Sequence, residues 1–227
     1  MAPLVRVDGV SKTYREGDAV TRVLQAASLE LAPGETTSLV GVSGSGKSTL
    51  LGLIAGLMIP ESGRVVFDGQ DITGLDDTAR ARLRARRIGI VLQSGNLIPF
   101  LTAAENVELA IQLGGGDRAA ARARELLSEL GLAGRLHHLP RRMSGGEAQR
   151  VSVAVALANE PDLLLADEVT GELDSANAEQ VMEVISDASR ERGLTVLFVT
   201  HSDALAARAQ RRLRLVVGRV MSSEVAS

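Results

Sequence analysis

Residues 41–49 read Gly41-Val42-Ser43-Gly44-Ser45-Gly46-Lys47-Ser48-Thr49, and few segments restrict a fold so tightly. They fit a glycine, four free positions, then glycine, lysine and serine or threonine. The β-branched run Thr36–Val40 precedes them, and Leu50, Leu51, Leu53, Ile54 and Leu57 follow with a helical period. Strand, glycine loop and helix in that order open a phosphate-binding α/β fold. The glycines admit positive φ and let the backbone wrap closely around an anion. Successive N–H groups then point inward, and the helix N-terminus adds its positive end. Lys47 is placed to reach the β- and γ-phosphates of a nucleotide, and Ser48 to ligate Mg²⁺ through its hydroxyl. Arginine supplies nearly all the positive charge of this chain, whose lysines are Lys12 and Lys47. A lysine kept inside the loop suits a place where a compact point charge is wanted.

The remaining composition narrows the partners. With 227 residues, 45% apolar and 23% charged, the chain is a globular protein of one large or two small domains. A net charge of −3 gives no reason to expect nucleic acid. Cysteine is absent, which excludes disulfides, thiolate chemistry and cysteine metal sites. Leu51–Ile59 is the longest apolar candidate, interrupted by two glycines and far short of a membrane span. No signal-peptide core follows Met-Ala-Pro-Leu-Val-Arg, so a cytoplasmic location is expected, with any membrane role supplied by a partner.

Along the chain, Leu4–Val10 alternates as a strand, residues 23–31 supply another, and Pro33-Gly34 marks a turn. Residues 63–67 and the Asp68-Gly69 turn predict an edge hairpin. The arginine-rich stretch Arg80–Arg87 predicts a helix with a solvated face, and Ile88–Leu92 a buried strand. Helical patterns then occupy Ala104–Leu113, Arg118–Leu130 and Gly146–Ala158. Gly114-Gly115-Gly116 and a connector over His137–Arg142 separate them, so a helical subdomain is expected within an α/β core. The core resumes with Leu163–Ala166, a helix over Ala176–Arg192, strand Thr195–Thr200 and a hairpin around Gly218.

Leu163-Leu164-Leu165-Ala166-Asp167-Glu168 is an apolar strand ending in two acids. Neighbours along a strand face opposite ways, so only its end can present both carboxylates to one site. Ligands of parallel sheets gather at those ends. Asp167 is the candidate for Mg²⁺, through water, and Glu168 the candidate general base for an attacking water. Met143-Ser144-Gly145-Gly146-Glu147 opens a helix. Ser144 and Glu147 have capping-box spacing, which alone accounts for them as helix-start residues. Two bare glycines additionally suit that end for docking against phosphate, and its distance in sequence from Lys47 points to a second nucleotide across an interface.

Taken together, GVSGSGKST, Gln93, MSGGE, LLLADE and His201 after Leu197-Phe198-Val199-Thr200 resemble the ATP-binding cassette family, in its order and over essentially the whole chain. The resemblance implies an α/β P-loop NTPase with an ABC-type core sheet, an N-terminal antiparallel β subdomain and an inserted α-helical subdomain. The boundaries expected are 1–227 for one ATPase domain and 97–158 for the helical insert. ATP and Mg²⁺ are the implied ligands. Tyr14 corresponds to the aromatic that stacks on adenine, and Gly41, Ser43, Gly44, Ser45, Gly46, Lys47, Ser48 and Thr49 to the phosphate loop. Gln93 corresponds to the residue that senses Mg²⁺ and meets the membrane subunit. Ser144, Gly145 and Gly146 correspond to the signature that faces the γ-phosphate held by the other cassette. His201 corresponds to the switch histidine and Asp174 to the interface-loop aspartate. His137 and His138 match nothing functional. Val169, Glu172, Glu147 and Met143 depart from the commoner residues of the family.

FDGQDITGL and RRIGIVLQSGNLIPFLTAAENV are similar to the lipoprotein-release and macrolide-exporter group, which includes the cell-division type. About 50 residues between Gln93 and the signature leave no room for the long insert of DNA-repair relatives. The short stretch after Gly218 favours the exporter-like group over importers with a regulatory domain. An exporter ATPase is thus expected, with an importer ATPase and a cell-division-type mechanical ATPase as alternatives. An ATP-dependent homodimer, or a pair with a second cassette, is expected to work with integral membrane permease subunits on the inner face of the membrane. Leu97, Ile98, Phe100 and Leu101 are the expected docking surface, unless they pack into the helical subdomain.

Overall fold

The computed structural model describes residues 2–17, 19–92, 97–168 and 175–222. Its elements run β1 (Val5–Glu16), β2 (Ala19–Leu31), β3 (Thr36–Val40), α1 (Lys47–Ile54), β4 (Ser62–Phe67), β5 (Gln70–Asp71), α2 (Asp77–Arg87) and β6 (Ile88–Val91). There follow α3 (Ala103–Gly114), α4 (Ala119–Glu129), α5 (Gly145–Leu157), β7 (Leu163–Asp167), α6 (Ser175–Arg192), β8 (Thr195–Val199), α7 (Asp203–Ala206), β9 (Arg211–Val216) and β10 (Arg219–Ser222). Two compact units emerge: Met1–Ala81 with Thr195–Ser227, and Arg82–Leu194, the boundary falling inside α2.

In the first unit, β1 lies between β2 and β4 in an antiparallel sheet of order β2-β1-β4-β5. Val5, Val7 and Val10 are buried while Arg6 carries an outward ion pair with Glu30 at 2.8 Å, which is the period-two pattern of a half-buried sheet. The alternation breaks at Gly9, where the register with β2 shifts and the Ser28 hydroxyl accepts the Gly9 N–H at 2.9 Å. β1 runs on to Glu16, six residues past the expected end at Val10, and β2 begins earlier than residue 23. That extension is polar and held by cross-strand pairing, Tyr14 opposite Thr21 and Arg15 opposite Val20, so hydrophobic alternation does not reveal it. The second sheet of this unit places β3 between parallel neighbours β8 and β9, with β10 antiparallel on β9. β8 is buried at every position and β3 at its three central ones, as befits parallel strands covered on both faces.

The second unit pairs β6 with β7 in parallel, Ile88 opposite Leu163 through Val91 opposite Ala166. Helices α3, α4 and α5 pack together through Val107, Ile111, Ala123, Leu126, Leu127 and Val151. Gly89 permits β6 to lie against α5, because a Cβ there would strike the Ala156 carbonyl. The helical expectations hold to within a residue at each end. The connector over 137–142 forms a short 3₁₀ turn at Pro140–Arg142, following another at Ala133–Arg135. One expectation for the arginine-rich helix needs correction. Arg80 is buried, donating to the Leu75 carbonyl at 2.5 Å and to Asp77, with its stem against Gly56. The solvated face is carried by other residues of α2. Leu92 is likewise exposed and lies past the strand end at Val91. Among the described residues, no helix is long and apolar enough to cross a membrane.

Candidate functional site

The first unit builds the phosphate loop as the sequence leads one to expect. β3 ends at Val40 and α1 begins at Lys47, with Gly44 (φ 73°) and Gly46 (φ 103°) turning the chain between them. Gly46 has a second reason to lack a side chain. A Cβ there would lie 2.6 Å from Val23 Cγ1 and 2.9 Å from the Val23 carbonyl oxygen. Gly46→Ala should therefore cost about 1–3 kcal/mol through strain and overpacking, and thermal melting of the variant reads that loss. A Cβ on Gly44 would meet nothing within 4 Å, so its glycine answers to the backbone turn alone.

Lys47 is only 6% exposed, and its Nζ donates to the carbonyls of Gly41 and Val42, each at 2.9 Å. A lysine has three N–H donors, so this arrangement fixes the ammonium within the loop and leaves it a donor for an anion. Ser45 Oγ is buried and has no hydrogen-bond partner in the fold. An orphaned hydroxyl in a glycine loop beside a buried ammonium fits phosphate oxygens. Ser48 is exposed on the first turn of α1, and Thr49 is buried behind it.

Tyr14 and His201 belong to the same unit. Tyr14 Oη lies 3.4 Å from Thr49 Oγ1 and 3.3 Å from Met58 Sδ, while the residue as a whole is 43% exposed. Its hydroxyl is thus anchored on the phosphate-loop helix with the aromatic body open to a partner. β3 and β8 run parallel with Leu39 opposite Val199, so Gly41 and His201 leave the sheet at the same edge, two residues beyond that pair. His201 is exposed there.

The second unit carries the acids and the glycine-rich helix start. Asp167 closes β7 and is 8% exposed. Glu168 follows at φ 53°, a left-handed conformation that an L-residue adopts only at a cost. Val91 is paired with Ala166, so β6 ends beside the end of β7 that bears Asp167. Gln93 lies outside the described residues, as do Asp174, Val169 and Glu172.

Ser144 is the N-cap of α5, ahead of Gly145 and Gly146, and the capping box is complete. Ser144 Oγ accepts from the Glu147 N–H at 3.2 Å, and Glu147 Oε2 accepts from the Ser144 N–H at 2.9 Å. Arg135 Nε donates to Glu147 Oε1 at 2.7 Å. That guanidinium, aided by the Ser144 amide, holds the Glu147 carboxyl below the usual carboxylate range.

Two residues of this unit have roles that the sequence reading did not single out. Arg135 has no periodicity that connects it with Glu147. Asn106 is a polar residue on the apolar face of α3, which is a legible signal. It is buried, accepts from Ile98 N–H at 2.8 Å, and donates to the carbonyls of Ile98, Leu101 and Thr102 at 3.3, 3.0 and 2.9 Å. These bonds shape the loop that holds Phe100 76% exposed, whereas Leu97, Ile98 and Leu101 are half-buried. A cavity of ≈ 580 Å³ in the second unit is walled by Leu126, Leu157, Val184, Glu183 and Glu191 among others, and by none of the motif residues. Phosphate loops bind through backbone N–H groups around an open concavity, so a deep cavity is not required of them.

With loop, strand ends and capped helix in place, comparison with known proteins is decisive. The family model described as ABC transporter matches residues 24–171. The chain is 47% identical to the lipoprotein-releasing system ATP-binding protein LolD of Geobacter metallireducens, over 98% of this chain and 100% of that one. It is 43% identical to the macrolide export ATP-binding/permease protein MacB of Syntrophobacter fumaroxidans, over 93% of this chain and 30% of the relative. The dimeric structure of a post-hydrolysis state of the cassette MJ0796, bound to ADP and Pi, superposes with a TM-score of 0.92 at 39% identity, covering 97% of each chain. The chain belongs to the ABC transporter family, with its P-loop NTPase fold, core sheet and helical subdomain. Within that family it is an ATP-binding protein of the LolD- and MacB-like group.

Proposed function

We propose that this chain hydrolyses ATP to ADP and phosphate as the engine of a lipoprotein-release or macrolide-export type transporter, coupled to a separate membrane permease. The observation that carries the nucleotide assignment is the buried Lys47 ammonium, fixed by the Gly41 and Val42 carbonyls inside a glycine loop. Residues 1–227 act as one ATPase domain, and 97–158 form its helical subdomain.

Each residue has a part in the chemistry. Gly41, Ser43, Gly44, Ser45, Gly46 and Thr49 shape and line the phosphate cradle, and Tyr14 offers its ring to adenine. Ser48, Asp167 and Gln93 are hard oxygen donors suited to Mg²⁺, which when bound neutralises charge on the phosphate oxygens. Lys47 donates to the β- and γ-phosphates, and His201 contacts the γ-phosphate from the sheet edge that Gly41 shares. Glu168 accepts a proton from the attacking water and orients it. Ser144, Gly145 and Gly146 meet the γ-phosphate held by a second copy or second cassette, and Asp174 belongs to the interface loop between them.

The permease is assigned to the loop around Phe100. What supports this reading is the Phe100 ring, 76% exposed in a loop pinned by Asn106. The protein would then sit on the inner face of the membrane through that contact. Co-expressed with its permease, the chain should enter the detergent-extracted membrane fraction. Phe100→Asp should release it while ATP binding is retained, because so exposed a ring contributes little to folding. A variant that stays membrane-bound with full transport would place the docking surface elsewhere.

A further inference from the structure

Glu147 poses an electrostatic problem for the sandwich proposed above, and Arg135 is placed to solve it. The Glu147 carboxylate stands in the first turn of α5, engaged at both oxygens: Oε2 by the Ser144 N–H at 2.9 Å, and Oε1 by Arg135 Nε at 2.7 Å. Its side chain is 19% exposed and that of Arg135 is 46% exposed, so neither charge is deeply buried. A helix N-terminus favours one nearby anion. If the turn must also receive a nucleotide phosphate, a fixed carboxylate three residues from Ser144 repels it unless the carboxylate is neutralised. Arg135 reaches Glu147 from the Ala133–Arg135 turn, outside α5. The same capping box directs the N-cap hydroxyl. Ser144 Oγ accepts from Glu147 N–H at 3.2 Å, so its own proton can be donated to an incoming oxygen.

We propose that Arg135 is a positioning residue for the ATP sandwich. By binding Glu147 Oε1 it neutralises the carboxylate and keeps it turned toward the Ser144 amide, so that the start of α5 attracts the phosphate presented by the second copy. This rests on the assignment of Ser144–Gly146 to a partner's nucleotide.

The test is a charge cycle in the Glu168→Gln background, with dimer dissociation in Mg-ATP measured by sedimentation. Arg135→Ala should weaken the dimer about tenfold, from a helix-terminus charge effect counted at two symmetric sites. Arg135→Lys should stay close to the parent. Glu147→Gln keeps a capping-box acceptor while losing the charge, and should dimerise at least as tightly as the parent. The double variant Arg135→Ala/Glu147→Gln should recover parental dimerisation. If Arg135→Ala dimerises like the parent, the proposal fails while the sandwich stands. If the double variant remains as weak as Arg135→Ala, the ion pair merely fastens the 133–135 turn to α5, and the proposal fails again. A Glu168→Gln parent that does not dimerise in Mg-ATP removes the sandwich itself, and the role of Arg135 with it.

Discussion

Glu168→Gln is expected to bind ATP like the unmodified chain and to turn it over at least about a hundredfold more slowly, the usual contribution of a general base. Glutamine keeps the length and hydrogen-bonding capacity of the side chain and loses only the basic carboxylate, so binding and chemistry separate cleanly. The backbone supports this choice of residue. Glu168 holds a left-handed φ of 53° immediately after the buried strand end at Asp167, a conformation that costs an L-residue energy. Nucleotide affinity by titration and turnover by phosphate release, measured on one preparation, check it. Turnover near that of the unmodified chain would remove Glu168 from its role.

Lys47→Ala is expected to fail one step earlier, at binding. The substitution removes the ammonium that would donate to phosphate, a charged hydrogen bond whose loss is worth about 3 kcal/mol, or about a hundredfold in affinity. It also strips a donor from the carbonyls of Gly41 and Val42, which Lys47 holds at 2.9 Å each, so the loop loses the brace that shapes it. Lys47→Arg is no remedy, because a planar guanidinium cannot reproduce a compact ammonium in a site only 6% exposed. Calorimetric titration with Mg-ATP reads the affinity, and a melting curve without nucleotide reads the loop. Unchanged affinity in Lys47→Ala would dissociate the glycine loop from phosphate binding.

Much of this fold is legible in the sequence where local chemistry and burial coincide. The run Thr36–Val40 into GVSGSGKST specifies strand, loop and helix because glycine conformations, a lone lysine and apolar periodicity agree there. Ser144 and Glu147 disclose a helix start through spacing alone, and the capping box forms as expected. What the sequence hides is set by pairing at long range. The polar half of β1 is a strand because β2 lies beside it, and nothing in SKTYRE alternates. Arg80 looks like its solvated neighbours on α2 until the Leu75 carbonyl and Gly56 are seen around it. Arg135 and Glu147 meet because a 3₁₀ turn folds back on a helix N-terminus, a contact that no period encodes. Asn106 was the more readable case, since a polar side chain on the buried face of α3 must satisfy its amide somewhere.

Hydrolysis is proposed to take place in a sandwich, with one chain supplying Lys47 and Ser48 and another supplying Ser144, Gly145 and Gly146. Light scattering on purified Glu168→Gln reads the sandwich as a mass, since a protein that holds ATP without consuming it should accumulate the assembled state. With Mg-ATP the mass should be that of a dimer, and it should return to that of a monomer once nucleotide is removed. A monomer throughout, under conditions where titration shows ATP bound, would contradict the sandwich for this chain with itself.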